Sequence, residues 1–63
     1  MRKYALDLTT EDTIIAKDGR YVIVEDVYMS DDDRFVIIIG YFEDNGDDFD
    51  RQVDPDSTYK VRA

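Results

Sequence analysis

Apolar residues in this chain recur at every second position over short runs, and each run is closed by Asp, Gly, Asn or Pro. Helical spacing is weak throughout, so the pattern predicts strands joined by tight turns. "KYALDL" (3–8) reads as a first strand, with Tyr4, Leu6 and Leu8 on one face. "TIIA" (13–16) reads as a second, and Asp18-Gly19 then supplies a turn that needs positive φ. "YVIVEDVY" (21–28) is a third strand whose phase slips: Val22 and Val24 share a face that simple alternation denies to Val27. A bulge near Glu25-Asp26 would restore the register. "RFVIIIGYF" (34–42) is the fourth and most apolar strand, and Gly40 marks a point where the sheet can bend sharply. Asn45-Gly46 is a strong hairpin signal. "DFDRQV" (48–53) and "TYKVR" (58–62) complete the set, separated by Asp54–Ser57, which suits a 3₁₀-like turn opened by Pro55.

Five or six short strands in 63 residues predict an all-β fold in one domain, 1–63. A flat sheet of this size would expose an apolar face, and curling into a small barrel buries it and shortens the open edges. A weak internal echo links "DGRYVIV" (18–24) to "DDRFVII" (32–38). Val36 to Ile39 place aliphatic side chains on both faces of the fourth strand, so its outer face is expected to meet either core or a second molecule, including another copy of the chain.

The run "LDLTTEDTIIAKDGRYVIVEDV" resembles the opening of SH3-like barrels, among them the first domain of elongation factor P, KOW-type modules and the Hint modules of inteins. The shared features are a leading strand, the Glu11-Asp12-Thr13-Ile14 step, a glycine turn and an aromatic–Val–x–Val strand ending in Asp-Val. The terminal "VDPDSTYKV" is similar to the 3₁₀ turn and last strand of such barrels. The resemblance covers about the first third to half of the chain and implies a five- to six-stranded SH3-like barrel with a short 3₁₀ turn before the last strand. It carries over no site. No splicing nucleophile is in place, the loop where elongation factor P presents a lysine reads Ser30-Asp31-Asp32-Asp33, and the tryptophan and aromatic row of polyproline-binding SH3 domains are missing.

Charge changes this picture most. Sixteen acids, mostly aspartate, stand against eight bases and leave a net charge of −8. The excess is local: residues 31–56 hold ten acids and two arginines, whereas residues 57–63 hold only Lys60 and Arg62. Catalysis is not expected, because histidine and cysteine are absent and the hydroxyl nucleophiles besides threonine are Ser30 and Ser57. No cofactor is expected. An EF-hand fails on spacing, since counting from Asp44 puts Phe49 at loop position 6 and Pro55 at position 12. Direct nucleic-acid binding is disfavoured too: Arg2, Lys3, Lys60 and Arg62 could gather at paired termini, but against so acidic a background they make a poor footprint for phosphate. The N-terminus has no signal-peptide pattern and no apolar run approaches about 18 residues, so the expectation is a cytoplasmic protein that does not enter a membrane.

Two readings of the acid remain. In the first, the acidic loops are an interface for a basic protein surface, made of Asp31, Asp32, Asp33, Glu43, Asp44, Asp47, Asp48 and Asp50, with Tyr41 and Phe42 as aromatic anchors. An expected radius of about 11 Å and a DNA charge every 1.7 Å or so make the charge of residues 31–56 comparable to one face of a duplex. A nucleic-acid mimic or an inhibitor seated in a cationic groove would look like this, and small viral inhibitors are commonly of the kind. In the second reading, aspartates form turns, guard the apolar strand from aggregation and keep a small viral or salt-adapted domain soluble, with oligomerisation through the apolar strand 35–42.

Overall fold

The computed structural model describes residues 1–62 and is all-β, with six strands and no α-helix among the described residues. β2 (Thr13–Ile15), β3 (Tyr21–Met29), β4 (Val36–Phe42) and β5 (Asp48–Val53) form an antiparallel meander in sequence order, and β1 (Arg2–Tyr4) pairs with β6 (Thr58–Lys60) in a separate two-stranded ribbon. One bridge, Ile14 to Val61, and the hydrogen bond from the Arg62 N–H to the Thr13 carbonyl join ribbon to meander. The two sheets do not close into the barrel expected from the sequence. Among the described residues the meander's last strand, β5, has no partner on its far side.

One local device makes all three turns of the meander. An Asx side chain accepts the N–H of the residue two further on, and the residue between them takes left-handed φ. Asp18 Oδ1 accepts from Arg20 at 3.1 Å around Gly19 (φ 87°). Asp32 Oδ1 accepts from Arg34 at 3.2 Å around Asp33 (φ 58°). Asn45 Oδ1 accepts from Asp47 at 3.0 Å around Gly46 (φ 75°). The echo between residues 18–24 and 32–38 thus corresponds to a repeated turn followed by a strand.

β3 carries the bulge that its phase requires. Val24 pairs with Gly40 and Asp26 with Ile39, leaving Glu25 unmatched. Val22, Val24 and, beyond the bulge, Val27 therefore all share the inner face. Gly40 lies opposite, where an added Cβ would overlap the backbone carbonyl oxygen of Ile23 and sit 3.4 Å from the Val24 Cα. Only glycine allows β3 and β4 to approach this closely at the bulge.

The core is Ala5, Leu8, Ile14, Val22, Val24, Val36, Ile38, Phe49 and Val61, all on the inner face of the meander or on segments laid across it. Here the first strand departs from expectation. Alternation over residues 3–8 would bury Tyr4 and Leu6, yet both are exposed, at 55% and 57%. The strand stops at Tyr4, and Ala5–Asp7 turn into a 3₁₀ helix that packs against β4. Ala5 and Leu8, three apart, fall on its inner side. The 3₁₀ turn expected at Asp54–Ser57 is a simple turn with one hydrogen bond, Ser57 N–H to the Asp54 carbonyl at 3.0 Å.

Candidate functional site

Because side chains alternate across a strand, residues directly opposite in register share a face. The register therefore maps the meander's outer face without ambiguity. Thr13 lies beside Ile23, Ile23 beside Tyr41, and Tyr41 beside Asp48. The next row is Asp26, Ile39 and Asp50, and the row after it Tyr28, Ile37 and Gln52. Ile23, Ile37, Ile39 and Tyr41 are half-buried, and Tyr28 is exposed. This is the answer to the aliphatics on both faces of β4: one set, Val36 and Ile38, fills the core, and the other forms an apolar stripe rimmed by the carboxylates of Asp26, Asp48 and Asp50.

The acids singled out in the sequence do not converge. Asp31, Asp32 and Asp33 occupy the β3–β4 turn, while Glu43, Asp44 and Asp47 occupy the β4–β5 turn at the opposite end of the seven-residue strand β4, roughly 20 Å away. Asp48 and Asp50 belong to the outer face itself. Three of the acids are engaged within the fold, Asp47 by the Asn45 Nδ2, which donates to its Oδ2 at 3.1 Å, and Asp32 and Asp44 more tightly. Asp32 accepts from the Ser30 hydroxyl at 2.7 Å and from the Arg34 N–H, which together hold its carboxyl below the ordinary range. Asp44 receives both arms of the Arg20 guanidinium, at 2.9 and 3.0 Å, and is likewise held low by that hydrogen-bonded pair.

The expected anchor pair, Tyr41 and Phe42, is divided between the two faces. Tyr41 stands on the outer face beside Asp48. Phe42 is opposite buried Val22 on the inner face, edge-on to Phe49 with centroids 5.7 Å apart, and covered by the Arg20 guanidinium at 3.9 Å. Phe42 is a core-edge residue because the strand alternates, so adjacent residues cannot share a surface.

The bases are also redistributed. Lys3 leaves any terminal cluster to bind both oxygens of Asp12, at 2.9 and 3.1 Å. Burial works to raise the Asp12 pKa, but the bonds from Lys3 and from the Thr9 N–H outweigh it and hold the carboxyl below its ordinary value. Arg62 lies over the Tyr21 ring at 5.1 Å. Arg2 and Lys60 remain opposite one another across the ribbon. Among the described residues no group of carboxylates is arranged to hold a metal ion, and no helix is long and apolar enough to cross a membrane.

Sequence reasoning missed one residue that alternation could have found. In Phe49-x-Arg51-x-Val53 the arginine takes the inner-face position, directly opposite fully buried Ile38. Its guanidinium lies 4.3 Å over the Phe49 ring and is close enough to Tyr59 to oppose the rise that burial imposes on the phenol's pKa. In comparisons with known proteins, the chain matches no family model, no curated protein and no solved structure.

Proposed function

We propose that this protein is a non-enzymatic binding module of SH3-like architecture that engages a basic protein surface through the outer face of its meander. The observation that carries the reading is the apolar stripe Ile23, Ile39 and Tyr41 bordered by Asp26, Asp48 and Asp50. Half-exposed aliphatics and a tyrosine supply the area that a partner would desolvate, and the carboxylates supply sign, steering and register. Asp47 extends the acidic rim at the near end, and Asp31 and Asp33 extend the negative field at the far end. A partner presenting lysine or arginine around an apolar centre is the complement. An inhibitor or nucleic-acid mimic that occupies a cationic groove fits the same chemistry. The SH3-like assignment is supported by the consecutive hairpins β2–β5 and by the return of the chain after β6 to bridge β2 at Ile14–Val61. The ribbon and meander are then two halves of an open barrel.

The test is capture from a cell extract at low salt, comparing the native chain with the D47N/D48N/D50N variant and with Y41S. Partners retained by the native chain and lost by both variants, with circular dichroism unchanged, support the reading. Equal capture by all three overturns it.

The half-exposed Ile37 and Ile39 also favour a second reading, in which acid serves solubility and the outer faces of two copies associate. Each copy carries −8, and such a pairing brings both sets of carboxylates together, so it requires high salt. Light scattering that shows one chain's mass at high protein concentration in both low and high salt removes this alternative.

A further inference from the structure

Four of the eight bases line one groove on the other side of the meander. It has a volume of about 750 Å³ and is lined by residues of the β1–β6 ribbon, of β2 and the turn after it, and of β5. Arg2, Lys17, Arg51 and Lys60 contribute positive charge, and among the described residues Asp18 is the one carboxylate in the lining. That composition runs against the whole chain, in which acids outnumber bases two to one. None of the four bases makes a salt bridge among the described residues, whereas Lys3 and Arg20 do. Half-buried Tyr59 forms part of the wall, and the buried core residues Ile14 and Phe49 lie at its floor. Arg51 is positioned by its place in the strand: the inner-face register and the Phe49 ring fix where its guanidinium lies.

We propose that this groove binds a small phosphate-bearing molecule, with phosphate oxygens on Arg2, Arg51 and Lys60 and an apolar or ring portion against Tyr59. Two guanidiniums can each give a planar pair of donors to phosphate, and the lysines add charge without fixed direction. The volume lies within the range of small-molecule sites, about 300–1,000 Å³. The negative field of the rest of the molecule favours small ligands over long polyanions, because a strand leaving the groove in either direction would run along an acidic surface. The site is independent of the outer face and of any partner held there.

Amide NMR of the intact chain, titrated with ADP, with pyrophosphate and with adenosine, tests this. The expected result is saturable shifts at Gly19, Thr58 and Lys60 with ADP and pyrophosphate at about 1 mM or below, weakening as salt is raised, and much smaller shifts with adenosine. The R51Q/K60Q variant should lose about tenfold in affinity. D18N retains an Asx acceptor for its turn and removes the groove's carboxylate, so it should bind more tightly. Absence of saturation, shifts dispersed over all basic residues, or affinity unchanged in both variants overturns the proposal. Arg51 would then serve only as an inward-pointing charge that keeps edge strand β5 from pairing with another chain.

Discussion

Arg20 grips Asp44 with two parallel hydrogen bonds, at 2.9 and 3.0 Å, while its guanidinium plane covers Phe42. The pair ties the β2–β3 turn to the β4–β5 turn across 24 positions of sequence and roofs the edge of the core. Asp44 is exposed and Arg20 half-buried, so the pair stays open to solvent and the gain is modest and sensitive to salt. Its pH dependence has a definite sign. The folded-state pKa of Asp44 is held below its unfolded value of about 3.9. The stabilisation is therefore complete above that value and is lost as pH falls through the depressed folded pKa. Urea midpoints measured at pH 7 and pH 3 should show D44N less stable than the native chain at pH 7, with a smaller difference at pH 3. A constant difference across that range would contradict the account.

Gly40 should tolerate no side chain. A methyl group there meets the Ile23 carbonyl, a backbone atom that moves only if the bulge rearranges. Overpacking of this kind costs about 1–3 kcal/mol or more, and a chain this small has only a few kcal/mol to lose. G40A is expected to be largely unfolded at 25 °C by circular dichroism. The Gly46 position has open space around it, so any loss in G46A reports only the left-handed φ and should be smaller.

Asp33 occupies the place that glycine holds in the other two meander turns. A left-handed residue with a Cβ costs about 1–2 kcal/mol, less for aspartate than for most. D33G should therefore be as stable as the native chain or more so, and D33A less stable by about 1 kcal/mol. Thermal midpoints of the two variants settle the order. D33A matching D33G would mean that the turn does not hold that φ in solution.

These cases show which parts of the fold were legible in the sequence. Turn chemistry was, because Asp-Gly and Asn-Gly act through neighbouring atoms alone. The bulge was as well, since an extra residue between Val24 and Val27 is what brings both onto one face of a strand. Asp33 was not, because aspartate states no backbone preference strong enough to stand out from its neighbours. The first strand was misread because Tyr4, Leu6 and Leu8 satisfy period two while Ala5 and Leu8 satisfy period three, and burial chose the second set. The candidate interface suffered from the same limit. Adjacency in sequence joined Tyr41 to Phe42 and grouped Asp31–Asp33 with Glu43–Asp50, whereas alternation and strand length separate them. Arg51 was hidden by its own charge, although its spacing from Phe49 and Val53 placed it inward.

The acid rim itself should weaken the fold that carries it. Asp26 and Asp50 flank Ile39 on either side, about 10 Å apart across two strand spacings, and Asp48 lies two residues from Asp50 on the same face. None of the three makes an ion pair among the described residues. Their mutual repulsion acts over about one Debye length at 0.1 M salt and is largely screened at 1 M. D50N should therefore raise the thermal midpoint at low salt, and the gain should shrink towards zero in 1 M sodium chloride. If Asp50 served only solubility, that would be the whole of its effect. If it also forms part of an interface, the same substitution that stabilises the free protein weakens capture of a basic partner, with the loss greatest at low salt. Stability and capture moving in opposite directions on one substitution is the outcome expected of a binding face. D50N leaving both the midpoint and its salt dependence unchanged would show that the carboxylates are too well solvated to interact, and would remove the electrostatic basis of the outer-face site.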